Sequence, residues 1–147
     1  MNYVIDASVF VAAARTAETH YAVSVEFLRQ AQEPNTVIVC PTLVLAECSA
    51  AIARPTGNPA LAEALVALIE NFQGLNLATL TTPLARQAAT IAATHLLRGA
   101  DSVYVAVAQE FDAILITWDD EMLNRGAAVV STMTPSTWLD TYKAKAS

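Results

Sequence analysis

This sequence predicts an α/β fold with a mainly parallel sheet covered by helices on both faces. Three observations predict it. Short β-type runs alternate with helix-length segments along the whole chain. The β-type runs are almost continuously apolar, as strands buried on both faces are. The 147 residues are 54% hydrophobic and 15% charged, a composition that excludes a disordered or fibrous chain and suits one sizeable core.

The elements follow in order. Tyr3-Val4-Ile5 is a short β run ending at Asp6. Helical segments follow over about 7–15 and 19–32, with Pro34 beyond as a stop. The β-branched run 36–40 reads as a buried strand. Pro41-Thr42 opens a helix to about Arg54, ended by Pro55 and Gly57. Asn58-Pro59 is an N-cap followed by proline at the first helical position, and starts a helix to about Phe72. Gly74 closes it, and 75–80 is a third strand. Thr82-Pro83 repeats the cap-then-proline start of a helix that stops at Gly99. A helix over 101–111, a strand over 113–117 and a short helix over 119–125 come next. Residues 128–131 read as the last strand and 135–143 as a closing helix. No repeat, low-complexity tract or long linker divides residues 1–147, so they read as a single domain.

Charge and composition narrow the function classes. Eight basic residues against fourteen acidic give −6, which argues against a generic basic nucleic-acid coat but leaves room for a local nucleic-acid site. No apolar run approaches the length of a membrane span. The start Met1-Asn2-Tyr3-Val4 lacks a basic leader region, so a cytoplasmic protein is expected. Cys40 and Cys48 have no metal-type spacing and read as reduced and buried.

The informative feature is where the acids fall. Asp6 is the only charged residue before Arg15, and Glu47 the only one between Glu33 and Arg54. Asp101 stands alone between Arg98 and Glu110, and Asp119 follows an apolar run. Leu43, Ala46, Ala50 and Ala51 share a helical face with Glu47, so its carboxylate is expected to point inward. Burying carboxylates without partners costs several kcal/mol or more, and bases are scarce here. A divalent cation answers several inward acids at once. Asp6 ends the first strand and Asp119 follows the fourth. If those strands are neighbours, the acids meet at the carboxyl edge where ligands bind in open parallel sheets. An all-oxygen set suits Mg²⁺ or Mn²⁺ better than zinc. Each acid also has a plainer reading: Asp101 as a helix N-terminal acid, Asp119 as an N-cap, Glu47 as a partner of Arg54, Asp6 as a turn residue.

Taken in order, Val4-Ile5-Asp6-Ala7-Ser8, Leu45-Ala46-Glu47, the stretch from Gly99-Ala100-Asp101 to Ala108, and Leu115-Ile116-Thr117-Trp118-Asp119 resemble a PIN domain, specifically a VapC-type toxin of a toxin–antitoxin module. The resemblance covers essentially the whole chain. It implies a parallel sheet of about five strands with helices on both faces. It implies that Asp6, Glu47, Asp101 and Asp119 are catalytic, holding one or two Mg²⁺ or Mn²⁺ ions, with Ser8 and Thr117 supporting. Asp120 is a second candidate to supply or share the fourth carboxylate. The implied activity is endoribonuclease cleavage of RNA by metal-activated water, blocked by a cognate antitoxin.

Outside the quartet the net charge falls from −6 to −2, and Arg15, Arg54 and Arg98 are candidates for phosphate or antitoxin contact. His20 and His95 read as helix-surface residues. The mean hydropathy of +0.40 is high for a small monomer and suggests a homodimer, with antitoxin covering further apolar surface. The segments 19–32 and 60–72 are the expected contact elements. An aspartyl-phosphate hydrolase would need a second acid at position 8, where Ser8 stands. A receiver domain fits poorly because its paired acids would fall late in the chain. A non-catalytic PIN-fold module binding RNA or protein is the main alternative.

Overall fold

In a computed structural model, which describes residues 1–146 and the side chains of residues 1–142, five parallel strands form one sheet in the order β3-β2-β1-β4-β5. The strands are β1 (Asn2–Ile5), β2 (Val37–Pro41), β3 (Leu75–Ala78), β4 (Ile114–Ile116) and β5 (Thr132–Met133). Eight helices accompany them among the described residues: α1 (Ala7–Ala14), α2 (Tyr21–Gln30), α3 (Leu43–Thr56), α4 (Pro59–Glu70), α5 (Thr82–His95), α6 (Gly99–Glu110), α7 (Asp120–Gly126) and α8 (Pro135–Ala146).

The chain runs outward through β2 and β3, then returns to the other side of β1 to lay down β4. Tyr3, Val4 and Ile5 pair with Ile114, Leu115 and Ile116, and the Asp6 amide donates to the Ile116 carbonyl at 3.0 Å. The reversal of strand order therefore lies between β1 and β4, and the chain emerges there as Asp6 on one side and Thr117-Trp118-Asp119 on the other.

Burial follows the apolar runs. Val4, Ile5, Ile38, Leu115 and Ile116 are fully enclosed. Helix α6 is buried without interruption from Ser102 to Ala108, as expected of a helix that is apolar all round. It packs on β1, β2 and β4 and carries Asp101 on its first turn. Tyr3, Trp138 and Tyr142 form an aromatic cluster that seats α8, with Phe27 of α2 against Trp138. Cys40 and Cys48 are free and buried as expected. Burial pushes the Cys40 thiol up to about 12, and that of Cys48 up as well, so neither is a ready nucleophile.

Several boundaries differ from expectation. The last strand is Thr132–Met133 and not 128–131. The amides of Val129 and Val130 both turn back to the Gly126 carbonyl, so this β-branched pair has no donors left for a ladder. Thr81, not Thr82, caps α5, its Oγ1 accepting from the Leu84 amide at 3.3 Å and leaving Pro83 at the second position. That helix ends at His95, well short of Gly99. Leu96 turns left-handed, and its carbonyl accepts from Arg125 Nη1. Gly99 instead opens α6. Pro41 closes β2 instead of opening α3. Asn58 caps α4 as its sequence indicated, its Oδ1 accepting from the amides of Ala60 and Leu61.

Gly74, just before β3, has φ +81°, and a Cβ there would lie 3.1 Å from the Thr36 carbonyl oxygen. Gly74→Ala is therefore expected to cost about 1–2 kcal/mol, the penalty of a left-handed L-residue, read as a lower denaturation midpoint with unchanged slope.

Candidate carboxylate site

Asp6 is the buried member of the site. It leaves β1 and caps α1, so strand geometry and helix initiation fix the same side chain. Its Oδ2 accepts from Thr117 Oγ1 at 2.9 Å and from the Ser8 amide at 3.3 Å, and the residue is only 6% exposed. Burial raises its proton affinity above the usual aspartate range. Bonds from Ser8 and Thr117 oppose that rise, and the Asp119 charge adds to it.

Thr117 and Ser8 tie the strand ends together. Thr117 is fully buried. Its one hydroxyl proton goes to Asp6, and its oxygen accepts from the Asp119 amide at 3.0 Å. Ser8 Oγ lies 3.5 Å from Thr117 Oγ1 and accepts from the Trp118 amide at 3.1 Å. Both residues thus contact Asp6, Thr117 through its hydroxyl and Ser8 through its amide.

Glu47 reaches the site from α3. Its Oε1 accepts from Tyr104 Oη at 2.6 Å. Burial raises its proton affinity; the Tyr104 bond opposes this, while Asp6 and Asp101 reinforce it. The reason expected for its inward direction needs correction. Ala46 and Ala50 are exposed, and the core face of α3 is Val44, Cys48 and Ile52. Ala51 instead joins Glu47 in the wall of a cleft of about 360 Å³ that also takes in Asp6, Ser8, Arg98 and Asp101.

Asp101 and Asp119 share one arginine. Arg98 Nε donates to Asp101 Oδ2 at 3.0 Å, and Arg98 Nη2 to Asp119 Oδ2 at 2.8 Å. Burial still holds Asp101 above the usual range, with Arg98 pulling it down and Asp6 and Asp119 pushing it up. Asp119 caps α7 through its other oxygen, which accepts from the Met122 amide at 2.9 Å. It therefore fills the plain N-cap role that its position suggested, while its Oδ2 meets Arg98. Asp120 is exposed on the first turn of α7, next to Asp119. Glu121 pairs with Arg125.

The three arginines separate. Arg98 is in the cleft, Arg15 pairs with Glu18 at 3.4 Å, and Arg54 is exposed at the end of α3. The Arg98 side chain is 64% exposed, so its ion pairs contribute little to stability in salt. Arg98→Ala is expected to lower the metal-free melting temperature by no more than a few degrees, with the difference vanishing in high salt.

Sequence reasoning missed two site neighbours. Tyr104 lies three residues after Asp101, one helical turn along the same face of α6, which is a readable signal. The Trp118 indole is held by Ser24 Oγ of α2 at 2.8 Å, a contact between residues 94 positions apart that no local pattern announces.

Among the described residues, no three Asp, Glu, His or Cys side chains converge tightly enough to hold an ion as they stand. The donor set nevertheless fits a hard divalent cation. It is all oxygen, its acids repel one another, and the cation among them is the exposed Arg98. Among the described residues, no helix is long and apolar enough to cross a membrane.

Solved structures share this fold. VapC20 of Mycobacterium tuberculosis, a sarcin-ricin loop cleaving toxin, superposes with a TM-score of 0.71 at 20% identity, over 86% of this chain and 94% of that one. VapBC-1 of nontypeable Haemophilus influenzae gives 0.68 at 16% identity, over 92% and 99%. FitAcB of Neisseria gonorrhoeae gives 0.67 at 20% identity, over 91% and 98%. No curated protein matches the sequence. The family model described as PIN domain matches residues 3–128, which take in all four acids, β2, β3, β4 and all of β1 but Asn2, and the chain belongs to the PIN-domain family.

Proposed function

We propose that this protein is a metal-dependent endoribonuclease, the toxin of a toxin–antitoxin pair, acting in the cytoplasm. The observation that carries the reading is Asp6. Its carboxylate is buried and paired with hydroxyl and amide donors but no base, in a cleft shared with Glu47 and Asp101 and beside Asp119. Such an arrangement opposes folding unless a cation uses it. Neighbours of the same fold include an RNA-cleaving toxin and a VapBC complex.

Asp6, Glu47, Asp101 and Asp119 would hold one or two Mg²⁺ or Mn²⁺ ions. Bound there, the cation supplies charge neutralisation for the phosphodiester and acidifies the attacking water. Thr117 and Ser8 orient Asp6 and the start of the Asp119 turn. Tyr104 orients Glu47. Arg98, released from Asp101 and Asp119, is free to meet a phosphate oxygen in the fork geometry that guanidinium favours. Two divalent cations would formally neutralise the four carboxylates, which would let RNA approach an acidic protein.

The apolar cleft of about 670 Å³ bounded by α1, α2 and α4, with Phe10, Val25, Leu28, Leu65, Leu68 and Phe72 in its wall, supports an antitoxin partner on 19–32 and 60–72. Leu61, 52% exposed on α4, supports a homodimer through remaining apolar surface.

The deciding experiment is a thermal melt of the purified protein with rising Mn²⁺, beside Asp101→Asn. Metal at ~100 times its dissociation constant adds about 2.7 kcal/mol. The parent should gain that stability, Asp101→Asn much less, and RNA should be cut only by the parent with metal. Equal melts unmoved by metal, with RNA left intact, would return the chain to the non-catalytic binding module.

A further inference from the structure

We propose that His20 and Trp118 form a stacking platform for an unpaired nucleobase of the RNA, beside the bond that is cut; this rests on the ribonuclease reading above. The two rings lie parallel, 5° apart in plane, with centroids separated by 3.7 Å. Trp118 stands between Thr117, which bonds Asp6, and Asp119, which bonds Arg98. The indole is therefore carried by the same turn that places Asp119.

The platform is rigidly built. The Trp118 amide donates to Ser8 Oγ at 3.1 Å, and its indole Nε1 donates to Ser24 Oγ at 2.8 Å. Ser24 is fully enclosed, a buried hydroxyl whose acceptor role fixes the indole plane. The indole is half-buried, and His20 closes its outer side while itself remaining exposed. His20 occupies the cap position of α2 yet makes no side-chain capping bond. Its ring therefore does not serve the helix. One imidazole face lies on the indole, so the exposure falls on the opposite face.

An exposed π-face backed by a second ring is what single-stranded nucleic-acid sites present to bases, and it tolerates any sequence because every base has a π-face. The acidic cleft handles the phosphate, while the aromatic pair offers the base a stacking surface apart from the acids that repel the backbone.

The test uses a fluorescein-labelled single-stranded RNA decamer of mixed sequence and a fully abasic decamer with the same phosphates. Anisotropy is read with the Asp101→Asn protein, so that RNA is not cut, and with the same protein carrying His20→Ala or His20→Phe. Cleavage of the RNA decamer by the parent protein is measured alongside. The RNA decamer should bind about tenfold more tightly than the abasic one or better. His20→Ala should remove most of that preference and leave abasic binding unchanged, and His20→Phe should restore it.

Equal binding of the two decamers, with cleavage intact in the parent, overturns the platform and leaves the ribonuclease reading standing. So does equal weakening of both decamers by His20→Ala. If His20→Ala leaves RNA binding untouched but loosens a copurified protein partner, the aromatic pair belongs to that partner and the proposal is overturned. If the parent neither binds nor cuts any RNA, the ribonuclease reading fails and the platform fails with it.

Discussion

Asp6→Asn is expected to lower kcat/KM for RNA cleavage by at least about a hundredfold, and yet to melt above the parent when divalent metal is absent. The activity loss follows from position. Removing a partner one step away from a metal ligand already costs about 10–100-fold, and Asp6 is proposed here as a ligand itself. The stability gain follows from burial. The folded protein raises the proton affinity of Asp6, chiefly by desolvating its carboxylate, so the native state binds that proton more tightly than the unfolded chain does. Stability then falls as pH rises from the ordinary aspartate range, about 3.9, through the folded value. Above the folded value the whole cost is present. Asparagine keeps an oxygen to accept from Thr117 and Ser8 but carries no charge. Relief on the order of 1 kcal/mol is typical of neutralising a functional site, or about 3 °C for a chain of this size. Paired melts in a chelator should show the variant above the parent at neutral pH, with the gap closing as pH falls through the raised folded value towards the ordinary aspartate range, about 3.9. A variant that melts lower at every pH and still cuts RNA would falsify the role given to Asp6.

The same residue explains why so much is legible in the sequence. Asp6 ends an apolar strand and Asp119 follows another, and strands apolar on both faces pack only into a covered parallel sheet. Once β1 and β4 are adjacent, the two acids have nowhere to go but the switch point. What stayed hidden depended on contacts distant in sequence or on competition for backbone donors. Val129 and Val130 look like a strand, but their amides are taken by the Gly126 carbonyl. The inward reading of Glu47 reached the right cleft through the wrong stripe, because alanines on an exposed helix face look the same in sequence as alanines in a core. Arg98 was visible as a basic residue near Asp101, three positions away, but not as the bridge to Asp119, twenty-one positions on.

Tyr104 joins the site to the core, and its two substitutions should separate those roles. The side chain is fully enclosed on α6, and its hydroxyl donates to Glu47 Oε1 at 2.6 Å. Tyr104→Ala empties an aromatic-sized volume against the sheet and is expected to cost about 3–5 kcal/mol. That is a large part of the roughly 5–15 kcal/mol that holds a domain together, so the variant should lose soluble yield or melt at least about 10 °C lower. Tyr104→Phe keeps the ring and removes only the donor. Glu47 is half-buried and water can replace part of the lost bond, so the stability cost should be about 1 kcal/mol. Its effect should appear in the site instead. Without the hydroxyl, Glu47 loses the bond that holds its proton affinity down against burial and the charges of Asp6 and Asp101. The carboxylate should then keep its proton to higher pH, and Mn²⁺, which needs it ionised, should bind more weakly at mildly acidic pH, with affinity recovering as pH rises. Mn²⁺-dependent melts of Tyr104→Phe across that range read this directly. A metal response identical to the parent at every pH would mean that Glu47 stands outside the metal site and that Tyr104 serves the core alone.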